Sequence, residues 1–107
     1  MAASTSRIAA VVRRYLDELG RNGIPIREAY LFGSYAQGRV HEASDIDVAV
    51  ISEKFTGDRY ADRRRIVPLR RAIDSRIEPI PFRPDVFGRG GVLIDEIKAH
   101  GIRIDLR

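Results

Sequence analysis

Gly33-Ser34 and, after a gap of ten residues, Asp45-Ile46-Asp47 are the side chains whose types and spacing could do chemistry in this sequence. In LFGSYAQGRVHEASDIDVAVI an apolar, strand-like run ends in Gly-Ser, and a second apolar run opens on two carboxylates two residues apart. Strand side chains alternate between faces, so Asp45 and Asp47 project from the same face, near enough to share one divalent cation. Gly33 lets the backbone approach a bulky anion, Ser34 offers a hydroxyl and an N–H, and the turn that follows can aim further N–H groups at phosphate. A phosphate cradle facing a paired-carboxylate metal site is apparatus for moving a nucleotidyl or phosphoryl group.

Gly-Ser alone carries no information, and Asp-x-Asp alone recurs by chance. The ordered set carries the signal: apolar run, Gly-Ser, short polar turn with Gly38 and Arg39, Asp-x-Asp, apolar run. A hairpin-like connection with Asp45 and Asp47 as solvated acids at a strand start is the competing reading. It fits less well, because Asp47 sits inside Ile46-Asp47-Val48-Ala49-Val50-Ile51, where an unpaired carboxylate is costly to bury.

The elements that must position these residues follow from periodicity. Ser4 or Ser6 can cap a first helix through about Leu19, with Ile8, Val11 or Val12, Tyr15, Leu16 and Leu19 at helical spacing; Gly20, Gly23 and Pro25 end it. Residues 29–32 read as a short strand whose continuous apolarity suits a central place covered on both faces. Residues 35–38 form one helical turn at the phosphate site, and residues 45–51 form the second strand. Residues 58–75 make a helix with Tyr60, Ile66, Leu69 and Ile73 toward the core, kinked or interrupted near Pro68. Residues 76–82 form a third strand, interrupted by Pro79 and Pro81 and so placed at an edge or strand end. Residues 88–91 read as a flexible turn, 92–100 as a short helix closed by Gly101, and 102–106 as a last strand. The order implies an α/β (α+β) sandwich around a small mixed sheet, one domain over residues 1–107.

Bulk properties narrow the function. With 44% hydrophobic and 32% charged residues the chain is an ordinary globule rather than a disordered tail. The absence of cysteine rules out a disulfide framework and a thiolate metal site. No apolar stretch approaches the roughly 20 residues that span a bilayer, and no sorting signal is visible, which favours the cytoplasm. The net charge of +4 favours encounter with an anionic partner such as a nucleotide or an acidic protein. It does not argue for nucleic-acid binding, because the arginine-rich stretch lacks interleaved aromatics and any recognition motif. Arg59, Arg63, Arg64, Arg65, Arg70 and Arg71 read as a solvated helix face or as a docking surface for an acidic partner. His41 and His100 stand without a second imidazole at ligand spacing, and Gly88-Arg89-Gly90-Gly91 lacks the closing Lys-Ser/Thr of a phosphate loop.

The motif G-S-x10-D-x-D resembles that of the DNA polymerase β-like nucleotidyltransferase superfamily, specifically its minimal, single-domain (MNT-type) members. The resemblance runs on through IEPIPFRPDVF to the chain end and covers most of the 107 residues. It implies transfer of a nucleoside monophosphate, AMP from ATP, to a hydroxyl, with two Mg²⁺ ions held by three carboxylates. In the superfamily the third carboxylate comes from a later strand of the same sheet. Glu78 is the only acid within the third apolar run, with Asp74 and Asp85 as weaker candidates. By this resemblance Asp45 and Asp47 hold the metal that neutralises the triphosphate, and Asp47 and Glu78 serve the acceptor hydroxyl. Gly33 and Ser34 grip the phosphates, with Arg39 adding a charge-assisted contact. Glu78 departs from the Asp that many relatives carry. Minimal members are commonly encoded beside a helical HEPN-domain protein, and act as its antitoxin by adenylylating one of its tyrosines or by binding it. The implied assembly is a homo- or hetero-oligomer in which a partner chain completes a half-open site. A non-catalytic module of the same fold, acting by occlusion, is the alternative.

Overall fold

The apolar runs on either side of the Gly-Ser turn become the two middle strands of a sheet. In the computed structural model, which describes residues 2–37 and 45–106, the chain runs through α1 (Ala2–Arg21), β1 (Glu28–Phe32), α2 (Ser34–Gln37), β2 (Ile46–Ile51) and α3 (Arg59–Ile66). A 3-10 helix (Val67–Ala72) leads into β3 (Ile77–Phe82), and α4 (Pro84–Arg89), α5 (Val92–His100) and β4 (Ile102–Arg103) complete it. The sheet order is β3-β2-β1-β4, with β2 and β3 parallel and the other pairs antiparallel. The mixed sheet and the α/β sandwich expected from the sequence are both present.

Alternation along the strands sorts the core into two layers. Ala29, Leu31, Ile46, Val48, Val50 and Ile77 face α1 and the end of α3, where Val12, Tyr15, Leu19 and Ile66 are buried. Ala49, Ile51 and Phe82 face the other way and pack with Phe87 of α4 and Ile94 and Ile97 of α5. A strand covered on both faces needs apolar residues at every position, and β2 meets that demand everywhere except at Asp47.

β3 lies at the edge, as its prolines require. Ile46 N donates to Arg76 O, so Arg76, Glu78 and Ile80 turn their backbone groups toward β2 while Ile77, Pro79 and Pro81 turn theirs outward. The missing proline N–H groups therefore remove nothing from the ladder, and the strand runs unbroken where an interruption was expected. The outward carbonyls are capped from the helical side: Arg70 Nη1 donates to Ile77 O at 2.8 Å and Arg63 Nη1 to Pro79 O at 2.7 Å.

Other expectations are adjusted for identifiable reasons. The α1 helix begins before the proposed Ser4 or Ser6 caps and carries Gly20 inside it. The segment expected as a helix over 58–75 gives α3, capped by Asp58, and then the 3-10 helix with Pro68 in its first turn. Tyr60 is 73% exposed rather than in the core, because the Asp58 cap sets the opening turn of α3 with that side chain toward solvent. The expected turn at 88–91 narrows to Gly90-Gly91, because Gly88 and Arg89 belong to α4, which is opened by Pro84 and pinned by Phe87 against Tyr30 and Phe82, with ring centroids 5.4 and 5.5 Å apart. The last strand shrinks to β4.

Asp62, an acid interspersed among the arginines of α3, is 1% exposed. Its carboxylate accepts from Thr56 N at 2.9 Å, Thr56 Oγ1 at 3.0 Å and Gly57 N at 3.1 Å, fixing the loop that follows β2. Asp62→Asn would point a donor at these donors. We expect it to cost ~2 kcal/mol, a fall in Tm of roughly 10 °C, measured by thermal unfolding at neutral pH.

Candidate active site

Register carries the site across three strands. Phe32 of β1 pairs with Asp47 of β2, and Asp47 pairs with Glu78 of β3, so the three residues form one row on the face that α4 and α5 cover only in part. Asp45 lies one residue ahead of β2 and is exposed; Asp47 is half-buried. Burial first, and then the negative charges of Asp45 and Glu78, push the Asp47 carboxyl above its ordinary value of 3.8. Asp45 and Glu78 are therefore both within electrostatic reach of Asp47.

Gly33 closes the site from the β1 side. Its φ of +72° is a left-handed conformation that disfavours a side chain, and a Cβ built there would overlap Asp47 Oδ2. The Gly-Ser turn thus rests directly on the Asp47 carboxylate, and Ser34 follows at once as the first residue of α2. Arg39, the remaining expected phosphate contact, lies outside the described residues, as do Gly38, His41 and Ser44.

The alternatives to Glu78 are placed elsewhere. Asp74 stands ahead of β3, where Arg76 Nη2 and Nε hold it at 2.8 and 3.1 Å; hydrogen bonding to Arg76 keeps its carboxyl below the usual range. Asp85 sits beyond β3 on α4, paired with Arg83 and Arg89. Glu78 alone among these shares the Asp47 row. It is not free, however: Arg63 Nη2 reaches Glu78 Oε1 at 3.4 Å and Arg70 Nη1 reaches Oε2 at 3.2 Å.

Two of the arginines read as a solvated face or a docking surface are instead engaged within the fold. Arg63 and Arg70 are half-buried against β3, and Arg59 lies over the Phe82 ring at 5.8 Å, while Arg64 and Arg65 are exposed. No periodicity in the run singles them out, because Arg63 lies in α3 and Arg70 in the 3-10 helix, and the residues per turn change between them.

The donor set suits a hard divalent cation in part. Asp45 and Asp47 supply oxygen ligands with excess negative charge, which is what Mg²⁺ requires. Among the described residues, though, no three acidic or imidazole side chains are gathered closely enough to hold a metal ion. A concavity of about 580 Å³ lies away from the row, lined by Arg13, Leu16, Asp17, Ile26 and Leu106 among others. It presents no comparable chemistry. Among the described residues no helix is long and apolar enough to cross a membrane.

A family model described as a nucleotidyltransferase domain matches residues 12–103. The protein adenylyltransferase MntA of Shewanella oneidensis is 40% identical over 67 residues, which make up 62% of this chain and 48% of that protein. The chain thus spans about half the length of that curated relative. Among solved structures, a candidate nucleotidyltransferase from Sulfolobus solfataricus superposes with a TM-score of 0.67 over 95% of this chain and 83% of that one. At 17% identity this is a likeness of fold. The crystal structure of a toxin–antitoxin with AMP-PNP contains a chain that is 28% identical with a TM-score of 0.62, covering 89% of this chain and 73% of that one.

Proposed function

The chain belongs to the nucleotidyltransferase domain family, and from that premise we propose that it transfers AMP from ATP to a protein hydroxyl, that of a tyrosine on a HEPN-type toxin partner, and so acts as an antitoxin. The observation that carries the proposal is the seating of the Gly33-Ser34 turn on the Asp47 carboxylate. It brings phosphate-binding and metal-binding residue types, separate in sequence, into one place. The likeness to an adenylyltransferase and to a toxin–antitoxin chain supports the choice of AMP and of a protein acceptor.

Each residue has a task set by its position. Gly33 and Ser34 bind the β- and γ-phosphates, with Arg39 assigned to the same group. Asp45 and Asp47 hold Mg²⁺, which when bound supplies neutralisation of triphosphate charge and of the leaving pyrophosphate. Glu78, at the open edge of the row, faces the side from which an acceptor arrives and takes the proton of its hydroxyl. The exposed, half-covered face leaves room for a partner to complete the site.

A second reading is favoured by one observation: Glu78 is held by Arg63 and Arg70. On that reading the chain neutralises its partner by occlusion, without chemistry. Intact-mass measurement of the partner after incubation with this chain, Mg²⁺ and ATP separates the two. We expect the partner to gain the mass of one or more AMP groups, lost on Tyr→Phe replacement at the acceptor. A neutralised partner of unchanged mass would establish occlusion instead.

A further inference from the structure

Arg63 and Arg70 are anchored without help from Glu78. Each gives a short hydrogen bond to an outward carbonyl of β3, 2.7 Å to Pro79 O and 2.8 Å to Ile77 O, and only a longer one, 3.4 and 3.2 Å, to the Glu78 carboxylate. The carbonyls are available because β3 is an edge strand whose outward positions include proline. The guanidinium groups therefore form a fixed cationic rail along the strand edge, and Glu78 leans on it. With its side chain 36% exposed, Glu78 is held by two half-solvated ion pairs, a kind of contact that contributes little net stability.

The same carboxylate has a competing destination. It stands beside Asp47 in the parallel register, and its charge already raises the Asp47 carboxyl. Yet Glu78 is turned away to the arginines, and among the described residues no trio of acids is assembled for a metal. A rotation about the side-chain bonds of Glu78 would exchange the rail for a cation held by Asp45 and Asp47, while the arginines stay on their carbonyls.

We propose that Arg63 and Arg70 are positioning residues that hold Glu78 out of the metal site at rest, and that Glu78 leaves them when a divalent cation occupies Asp45 and Asp47. This rests on the nucleotidyltransferase reading of that site. The arrangement makes cation binding compete with an internal ion-pair network, so the site assembles only when loaded. It also means that a change at the strand edge, at Arg63 or Arg70, alters metal affinity through one side chain.

The test is a double-mutant cycle read as the dissociation constant of Mn²⁺, measured by electron paramagnetic resonance on the full chain without nucleotide. R63K/R70K keeps both positive charges, so the long-range field is preserved, but an ammonium does not reproduce the planar guanidinium: Arg63 reaches Pro79 O through Nη1 and Glu78 through Nη2, while Arg70 serves Ile77 O and Glu78 through Nη1. We expect R63K/R70K to bind Mn²⁺ ~3–10-fold more tightly than wild type, E78Q to bind it more weakly, and the lysine changes to have less than about a 2-fold effect in the E78Q background. If the double variant fails to fold by circular dichroism, R63K alone, which removes the two-nitrogen fork and leaves Arg70 on Ile77 O, gives the same comparison. Equal effects in both backgrounds, or no tightening, would overturn the rail while leaving the metal site standing. Absence of Mn²⁺ binding to wild type at millimolar concentration would overturn both.

Discussion

Asp47→Asn is expected to lower AMP transfer about 10⁴-fold, the rate equivalent of roughly 5.5 kcal/mol of lost transition-state stabilisation. Asp47 is the residue shared by the proposed metal and acceptor roles, being paired with Glu78 on one side, close to Asp45, and covered by Gly33 on the other. Asn keeps the shape and loses the charge. The fold should not suffer, and the sign follows from linkage. Burial and two neighbouring carboxylates raise the folded-state value above 3.8, so the folded protein binds this proton more readily than the unfolded chain. The ionised carboxylate is thus destabilising above the raised value. That penalty disappears as the pH falls through the window down to 3.8. The variant should therefore unfold at a temperature equal to or above wild type at neutral pH without metal, and gain nothing below that window. Transfer rates and thermal unfolding across pH check both halves. A variant that is folded and as active as wild type would remove Asp47 from the chemistry.

Gly33→Ala should have the next largest effect, and on both quantities. A Cβ there meets Asp47 Oδ2 and forces a left-handed conformation on an L residue, costing roughly 1–3 kcal/mol of stability. Relief requires the Asp47 side chain or the turn to move. Because transfer depends on the relative placement of phosphate and carboxylate, an ångström-scale shift should lower the rate about 10³-fold. The contrast with Asp47→Asn is diagnostic: both are inactive, but only Gly33→Ala is less stable. Gly33→Ala with normal activity would mean that the turn does not seat the phosphates.

How much of this was legible in the chain depends on whether the cause was local. The Gly-Ser and Asp-x-Asp groups could be read because each sits at a strand end where residue type and spacing already fix direction. The two middle strands could be read because a doubly covered strand must be apolar throughout, which left Asp47 conspicuous. Glu78 was found as the only acid in its run, but its place beside Asp47 depends on the parallel register of β3, which no single strand encodes. Arg63 and Arg70 were hidden within a charge run. Their destination depends on the change from α-helix to 3-10 helix at Pro68 and on the outward carbonyls of a neighbouring strand. The end of α4 was masked by Gly88: the glycine-rich stretch pointed to a turn that the structure confines to Gly90-Gly91, and burial of Phe87 against Tyr30 and Phe82 holds the helix before it. Asp62 was missed for a related reason, since the donors it satisfies come from a loop that precedes its helix.

The central claim is that the row Asp47–Glu78, closed by Gly33-Ser34, moves a nucleotidyl group from ATP to a protein. The measurement that meets it most directly is incubation of this chain and its partner with Mg²⁺ and ATP labelled either on the α-phosphate or on the γ-phosphate, followed by counting label in the separated proteins. Attack on the α-phosphorus expels pyrophosphate, so the account predicts α-label on the partner, no γ-label on either chain, and neither label with Asp47→Asn. Incorporation of γ-label, or partner neutralised with no label from either nucleotide, would contradict it.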